Sequence, residues 1–313
     1  MAAAASLAGA AQTQSTAQGA AQNSTETGTS PQLEIERAAT GQPNKGKVFA
    51  LVSPHLDDGP IFAGVTVAKL LNEGYTGYLI RVTNDEKDSY NLTLGETVLA
   101  NERDADAFVK TVGLSKSYDL SYRNHGLDDV SRMEMRVRLI FLYRLLKVDT
   151  VLSYDPWGHY EENPDHYVTA QAVEAACWMA GDHLDFPEQF EVGLKAHSVS
   201  EKYYYARGPQ LVTRVVDIGP TLQQKVASIR SCKNMINNMV RGVNDSLAGK
   251  GLRLPAFEPA NAQSASDAFI QEAFVARDRA VGAKYGLEYA EEFHYIGPDH
   301  ALDQYIARNA VRI

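Results

Sequence analysis

The sequence predicts an α/β fold. We expect a Rossmann-like, mostly parallel sheet flanked by helices, with a smaller, irregular α+β portion toward the C-terminus. Three observations carry this expectation. Short apolar runs recur at residues 48–53, 78–83 and 148–154. Stretches with helical spacing separate them, which is the signature of βαβ units. Two polar clusters, Pro54-His55-Leu56-Asp57-Asp58 and Asn163-Pro164-Asp165-His166, follow the first and last of these runs. Open α/β sheets place their ligands there, beyond the carboxyl ends of the strands.

Residues 48–53 (VFALVS) are apolar nearly throughout and read as a buried strand. Residues 60–74 carry Ile61, Val65, Ala68, Leu70 and Leu71 at helical spacing, with Gly74 as a C-cap. A second strand is expected at 78–83, and a longer helix at 94–112 with Asp and Glu along its wet face. A short strand is expected at 118–122, an Arg-rich helix at 133–146 and another buried strand at 148–154. A helix over 164–181 opens on Pro164, a residue suited to a first helical turn. Further on, 203–205 and 211–216 read as strands and 220–239 as a helix. Residues 244–266 read as loop and 268–284 as helix.

The chain has 313 residues, 44% of them hydrophobic. Residues 1–45 are rich in Ala, Ser, Thr, Gln and Gly without periodicity, a composition of disorder. Their start, Ala-rich with Leu7 and the run Ala8-Gly9-Ala10, looks like the end of an export signal that lacks its positive region. An exported or periplasmic protein is the expectation, a cytoplasmic one the alternative. Residues 46–313 then form one domain. A net charge of -9 gives no general attraction for nucleic acid or anionic lipid. No apolar run reaches about 18 residues, so no membrane span is expected. Two cysteines, Cys177 and Cys232, are too few for a disulfide framework and read as buried thiols. A homo-oligomer is compatible with all of this.

The two clusters carry the chemistry. His55 and Asp58, three apart on a loop entering a helix, face one point, and His166 completes a His, Asp, His set. Three protein ligands leave one position for water, as a catalytic zinc ion (Zn2+) requires. Asp57, beside a ligand and not one itself, is placed to accept that water's proton. The bland alternative makes the aspartates helix caps and His55 a loop residue. Asp165 suits either the helix dipole or a contact that orients a histidine. Trp157, Tyr160 and Tyr167 offer faces for a sugar ring or packing under a loop. The run Asp85-Glu86-Lys87-Asp88 reads as a solvated loop, with a place on the substrate rim as the alternative.

On these residues the chain resembles the PIG-L/LmbE-like zinc-dependent N-acetylglucosaminyl deacetylases. That family carries Pro-His-Pro-Asp-Asp after its first strand and His-Pro-Asp-His after a later one. The resemblance spans roughly residues 47–235 and includes the turn Asp217-Ile218-Gly219-Pro220 before a helix bearing Lys225. It implies His55, Asp58 and His166 as zinc ligands and Asp57 as general base. It also implies Arg103 as a substrate-holding arginine and an amino sugar or glycoconjugate as substrate. Three departures stand out. Leu56 replaces a proline, Gly59 a frequent glutamate, and Asn163 the first histidine of the second motif. Asparagine donates a hydrogen bond to an oxyanion but is no general acid. His159 and Tyr160 are the nearby stand-ins, and His125 a more remote one. A non-catalytic, metal-containing carbohydrate-binding protein is the alternative reading. A nucleotide-binding Rossmann domain ranks below both, because no Gly-x-Gly-x-x-Gly or Walker-type loop follows the first strand.

Overall fold

The computed structural model describes residues 33–258, 262–298, 305–306 and 308–311. The export segment expected at residues 1–11 lies outside them. Among the described residues, eight strands form one sheet. They are β1 (Glu34–Glu36), β2 (Val48–Ser53), β3 (Thr76–Thr83), β4 (Lys116–Tyr122), β5 (Thr150–Tyr154), β6 (Glu201–Tyr205), β7 (Arg214–Asp217) and β8 (Ala290–Ile296). The helices are α1 (Asp58–Asn72), α2 (Leu94–Val112), α3 (Arg132–Leu146), α4 (Pro164–Met179), α5 (Glu188–Glu191), α6 (Leu222–Ser231), α7 (Lys233–Ala248), α8 (Ala262–Phe269) and α9 (Ala276–Lys284).

The spatial order is β1-β7-β8-β6-β5-β2-β3-β4. Strands β4, β3, β2, β5 and β6 run parallel, and β8 is antiparallel to both β6 and β7. The expected parallel sheet is therefore present, with a mixed edge built by the C-terminal portion. From β2 the chain moves outward through β3 and β4, then returns to the other side of β2 as β5. That reversal makes the β2/β5 boundary the topological switch point, where loops diverge and leave a crevice.

Strand residues alternate between two helical layers, as the period of two requires. Phe49, Leu51, Leu79, Leu152, Tyr203 and Tyr205 pack with residues of α1, α2 and α6. Ala50, Val52, Ile80, Val82, Val151 and Tyr204 pack with residues of α3 and α4. Both faces are covered, which is why these strands read as continuous apolar runs instead of alternating ones.

Four expectations are corrected. Described structure already precedes residue 46, where the tail was expected to end. Residues 34–36 pair in parallel with β7, and the Glu36 carboxylate accepts from Tyr203 Oη at 3.0 Å and pairs with Arg214 and Lys69. A three-residue strand is too short to show a period, so composition alone hid it. The helix expected at 220–239 breaks at Cys232 (ψ 54°), and its second half runs on to Ala248. The stretch 244–266 is thus partly helical, and 268–284 contains a π-helical segment, Ile270–Val275. Strand β8 was not anticipated. Its acidic and aromatic sequence, AEEFHYI, gives no clear alternation.

Candidate active site

The crevice at the switch point is built from the two clusters. After β2 the chain turns sharply. Ser53 Oγ donates to the His55 carbonyl at 2.7 Å and accepts from Gly59 N at 3.2 Å. Gly59 is needed here because a Cβ would sit 2.5 Å from the Leu51 side chain. Asp58 opens α1. Its Oδ2 accepts from His55 N at 3.0 Å, and its Oδ1 accepts from Tyr154 Oη, at the end of β5, at 2.8 Å. On the other side of the crevice Asn163 caps α4, its Oδ1 accepting from Asp165 N at 3.0 Å. One turn in, His166 points back toward Asp58, its ring stacked on Tyr154 at 4.2 Å.

His55 Nδ1 lies 3.1 Å from His166 Nε2 and 3.3 Å from Asp58 Oδ2. His166 Nε2 lies 3.6 Å from Asp58 Oδ1. Two atoms bound at about 2.0–2.1 Å to one tetrahedral ion lie roughly 3.3 Å apart. The spacing of the three donors therefore fits a single divalent ion, and all three residues are buried. The surroundings fit as well. Burial, then Asp58 and Asp88, push the Asp57 carboxyl well above its usual range. Burial raises Asp85 to about 6. Burial would lower His55, yet hydrogen bonds to Asp165 and Asp58 outweigh it and hold the imidazole well above its usual value. A pocket so crowded with carboxylates takes up a cation favourably.

Further residues orient the donors. Asp165 Oδ2 accepts from His55 Nε2 at 3.0 Å and from His125 N at 2.6 Å, and its Oδ1 from Leu127 N at 3.2 Å. With its Nε2 proton so engaged, His55 turns the Nδ1 lone pair to the crevice. Of the two readings of Asp165, the structure thus supports the one in which it orients a histidine. Glu161 Oε1 lies 3.1 Å from His166 Nδ1. Burial opposes ionisation of Glu161, but His166 and Arg207 win and draw it down to about 2.

Above the donors opens a cavity of about 480 Å³. Asp57, Asn163 and His125 line it together with the three donors. Asp57 takes the cap position of α1 by sequence, but its side chain makes no cap bond. Asn163 Nδ2 sits 3.3 Å from His166 Nε2.

Other expected residues fall elsewhere. His159 and Tyr160 are exposed on the loop after β5 and do not line the cavity; Tyr160 is 90% exposed. The stand-in that reaches the cavity is His125, whose ring centroid is 6.1 Å from that of His55. Arg103 is exposed on α2, away from the cavity lining, because the buried stripe of that helix is Thr97, Ala100, Asn101, Ala105 and Phe108. Tyr167, half-buried on α4, packs against the core on the α3/α4 side of the sheet, and Trp157 leans on Tyr204 and His294. The run 85–88 is not simply solvated. Asp85 is fully buried, held by Arg81 at 3.1 Å, and Asp88 lines the cavity.

Sequence reasoning missed Arg207, Met239, Phe274 and Arg277, which form the far wall. Arg207 had a signal, since it follows β6 at the same sheet edge. Arg277 had none.

The chain is similar to known proteins in sequence and in fold. A diacetylchitobiose deacetylase of Thermococcus kodakarensis is 24% identical over 192 residues, 60% of this chain and 70% of its own. The N,N'-diacetylchitobiose deacetylase structure from Pyrococcus horikoshii superimposes with a TM-score of 0.64 at 22% identity, covering 82% of this chain and 88% of its own. The 4-carboxy-2-hydroxymuconate hydratase of Pseudomonas putida KT2440 shares the fold at a TM-score of 0.57 and 17% identity, over 80% of this chain and 97% of its own. Residues 50–177 match the PIG-L family, described as GlcNAc-PI de-N-acetylase. That stretch holds all three donors, Asp57, Asn163 and His125, so the similarity to that family falls on the part of the chain that builds the site.

Proposed function

We propose that this protein is a zinc-dependent hydrolase that removes an N-acyl group, in the first place N-acetyl, from an amino sugar or sugar conjugate. One observation carries the reading. His55, Asp58 and His166 converge at the spacing of three ligands on one ion, and the unengaged carboxylate of Asp57 opens on the same cavity. Two imidazoles and one carboxylate with an open side suit catalytic zinc. The hydratase that shares this fold shows that the fold alone does not name a reaction. The family match and the donor geometry together favour amide hydrolysis.

A zinc ion held there would supply Lewis acidity to the amide carbonyl and lower the pKa of a bound water. The protein's own groups do the rest. Asp57, its affinity for protons raised by burial, takes the proton of the attacking water. Asn163 Nδ2, at the mouth of α4, donates toward the oxygen that gains charge. His125, on the cavity wall, protonates the departing amine, the part a histidine at position 163 would otherwise serve. Tyr154 and Asp165 hold Asp58 and His55 in place.

The test is amine release from N-acetylglucosamine and its β-linked oligomers. Activity should disappear on chelation and return with zinc. Asp57→Asn should keep its metal and lose about 10²–10⁴-fold in kcat. Full activity in that variant would remove the base assignment. Full activity after complete metal removal would remove the proposal.

A further inference from the structure

Two loops leave the carboxyl end of the sheet side by side, residues 155–163 after β5 and residues 206–210 after β6. They are joined along their backbones. His159 N donates to the Pro209 carbonyl at 3.2 Å. Gly208 passes so near the His159 carbonyl that a Cβ there would sit 2.5 Å from the oxygen. Tyr160 adopts the left-handed region (φ 60°), where a bulky side chain is rare. That turn leaves Tyr160 in solvent and carries the Glu161 side chain inward, where it is 10% exposed.

The Glu161 carboxylate meets three groups. Its Oε1 accepts from Asn163 N at 3.0 Å, just before α4 begins. The same oxygen lies 3.1 Å from His166 Nδ1. That nitrogen is buried and makes no aligned hydrogen bond, so Glu161 is the acceptor within its reach. From the other side the Arg207 guanidinium grips both oxygens, Nε donating to Oε2 at 3.0 Å and Nη2 to Oε1. Such a fork fixes the plane of a carboxylate as well as its place. Without it the carboxylate is free to turn out to water and strand the buried Nδ1 donor. Arg207 lies outside the stretch that matches the PIG-L family.

Resting on the zinc site of the reading above, we propose that Glu161 and Arg207 form a latch that positions His166 for the metal. Glu161 takes the Nδ1 proton as acceptor, so the Nε2 lone pair turns to the crevice. Arg207 holds Glu161 in that role and is itself a positioning residue, acting on His166 through another side chain. Each imidazole of the centre is then set by its own carboxylate, His55 by Asp165 and His166 by Glu161.

The sign of one measurement separates this role from its rivals. As a bare positive charge near a divalent ion, Arg207 would oppose zinc, and its removal would tighten binding. As a wall contact for substrate alone, its removal would raise KM and leave zinc affinity unchanged. As a latch, its removal weakens zinc binding.

The experiment measures zinc affinity of the full chain, without substrate, by competition with a chromogenic chelator. Glu161→Gln should bind zinc about 10–100-fold more weakly, and Arg207→Gln about tenfold more weakly. The double variant should be no weaker than Glu161→Gln alone, because both changes break one chain of contacts. Arg207→Lys keeps the charge and loses the fork, so it too should weaken zinc, and it carries the test if Arg207→Gln does not fold. Glu162→Gln, at the exposed neighbouring position, should match wild type. Unchanged or tighter binding in the Arg207 variants, or losses that simply add in the double variant, would overturn the latch and leave the hydrolase reading intact. Wild-type protein that takes up no zinc would overturn both.

Discussion

At the scale of single residues, the centre depends on atoms that touch no substrate. Asp165 is the clearest case. Its two oxygens receive His55 Nε2 and the backbone N–H groups of His125 and Leu127. Asp165→Asn puts an amide donor where an acceptor is needed, so His55 loses its fixed tautomer and orientation. We expect zinc affinity to fall about 10–100-fold, measured by competition with a chromogenic chelator. Unchanged affinity would reduce Asp165 to a helix-dipole residue. His125→Ala separates the two candidate proton donors. Activity should fall by about 10²-fold or more with metal content intact, whereas His159→Ala, on the exposed loop, should stay near wild type. The motif residues were legible because one cluster follows directly on β2 and the other opens the helix after β5. His125 was not, since only the fold of a loop with Asp165 brings it within reach.

At the scale of elements, α1 carries the donor Asp58, follows directly on the turn that bears His55, and is clamped from behind. Glu291 of β8 accepts from Val65 N at 3.1 Å and from Thr66 N at 2.9 Å, and from Lys225 Nζ of α6 at 2.9 Å. Lys225 is fully buried between Glu291 and Asp278. Lys225→Met leaves two carboxylates in the interior without their cation, a loss of about 3–5 kcal/mol. For a domain of this size that is a drop of roughly 6–20 °C in Tm, readable by calorimetry. An unchanged Tm would show that the clamp does not bear on stability. The sequence placed Lys225 in a helix after a turn and stopped there, because one partner lies on the unanticipated strand β8 and the other on a helix that only the fold brings beside it. The phase of α2 overrides the expected role of Arg103: the buried stripe Thr97, Asn101, Ala105 and Phe108 turns that residue outward. The phase of α9 was not legible. A π-helical segment adds a residue to the turn and rotates everything after it, so a reading at 3.6 residues per turn misplaces Arg277.

At the scale of the whole molecule, the sheet edge is closed by a strand taken from an apparently structureless segment. Glu36 ties β1 to α1 through Lys69, to β6 through Tyr203 and to β7 through Arg214. Burial opposes the charge on Glu36, but Lys69 and Arg214 prevail and hold its pKa below the ordinary value of 4.5. A group depressed on folding stabilises the protein above its unfolded pKa, and that stabilisation is lost as pH falls through the folded value. Glu36→Gln should therefore melt below wild type at pH 7, with the gap narrowing once pH drops below about 4.5. A gap independent of pH would assign the effect to packing. The sequence by itself determined the mostly parallel sheet, the alternation of strands and helices from β2 to α4, and the two clusters that bear the donors. Those features are local, set by apolar runs, helical spacing and adjacency to strand ends. Tertiary structure alone decided the far wall of the cavity and the closure of the sheet edge. These join segments as much as 226 residues apart, as Val65 and Glu291 show, and no local pattern encodes which distant surfaces will meet.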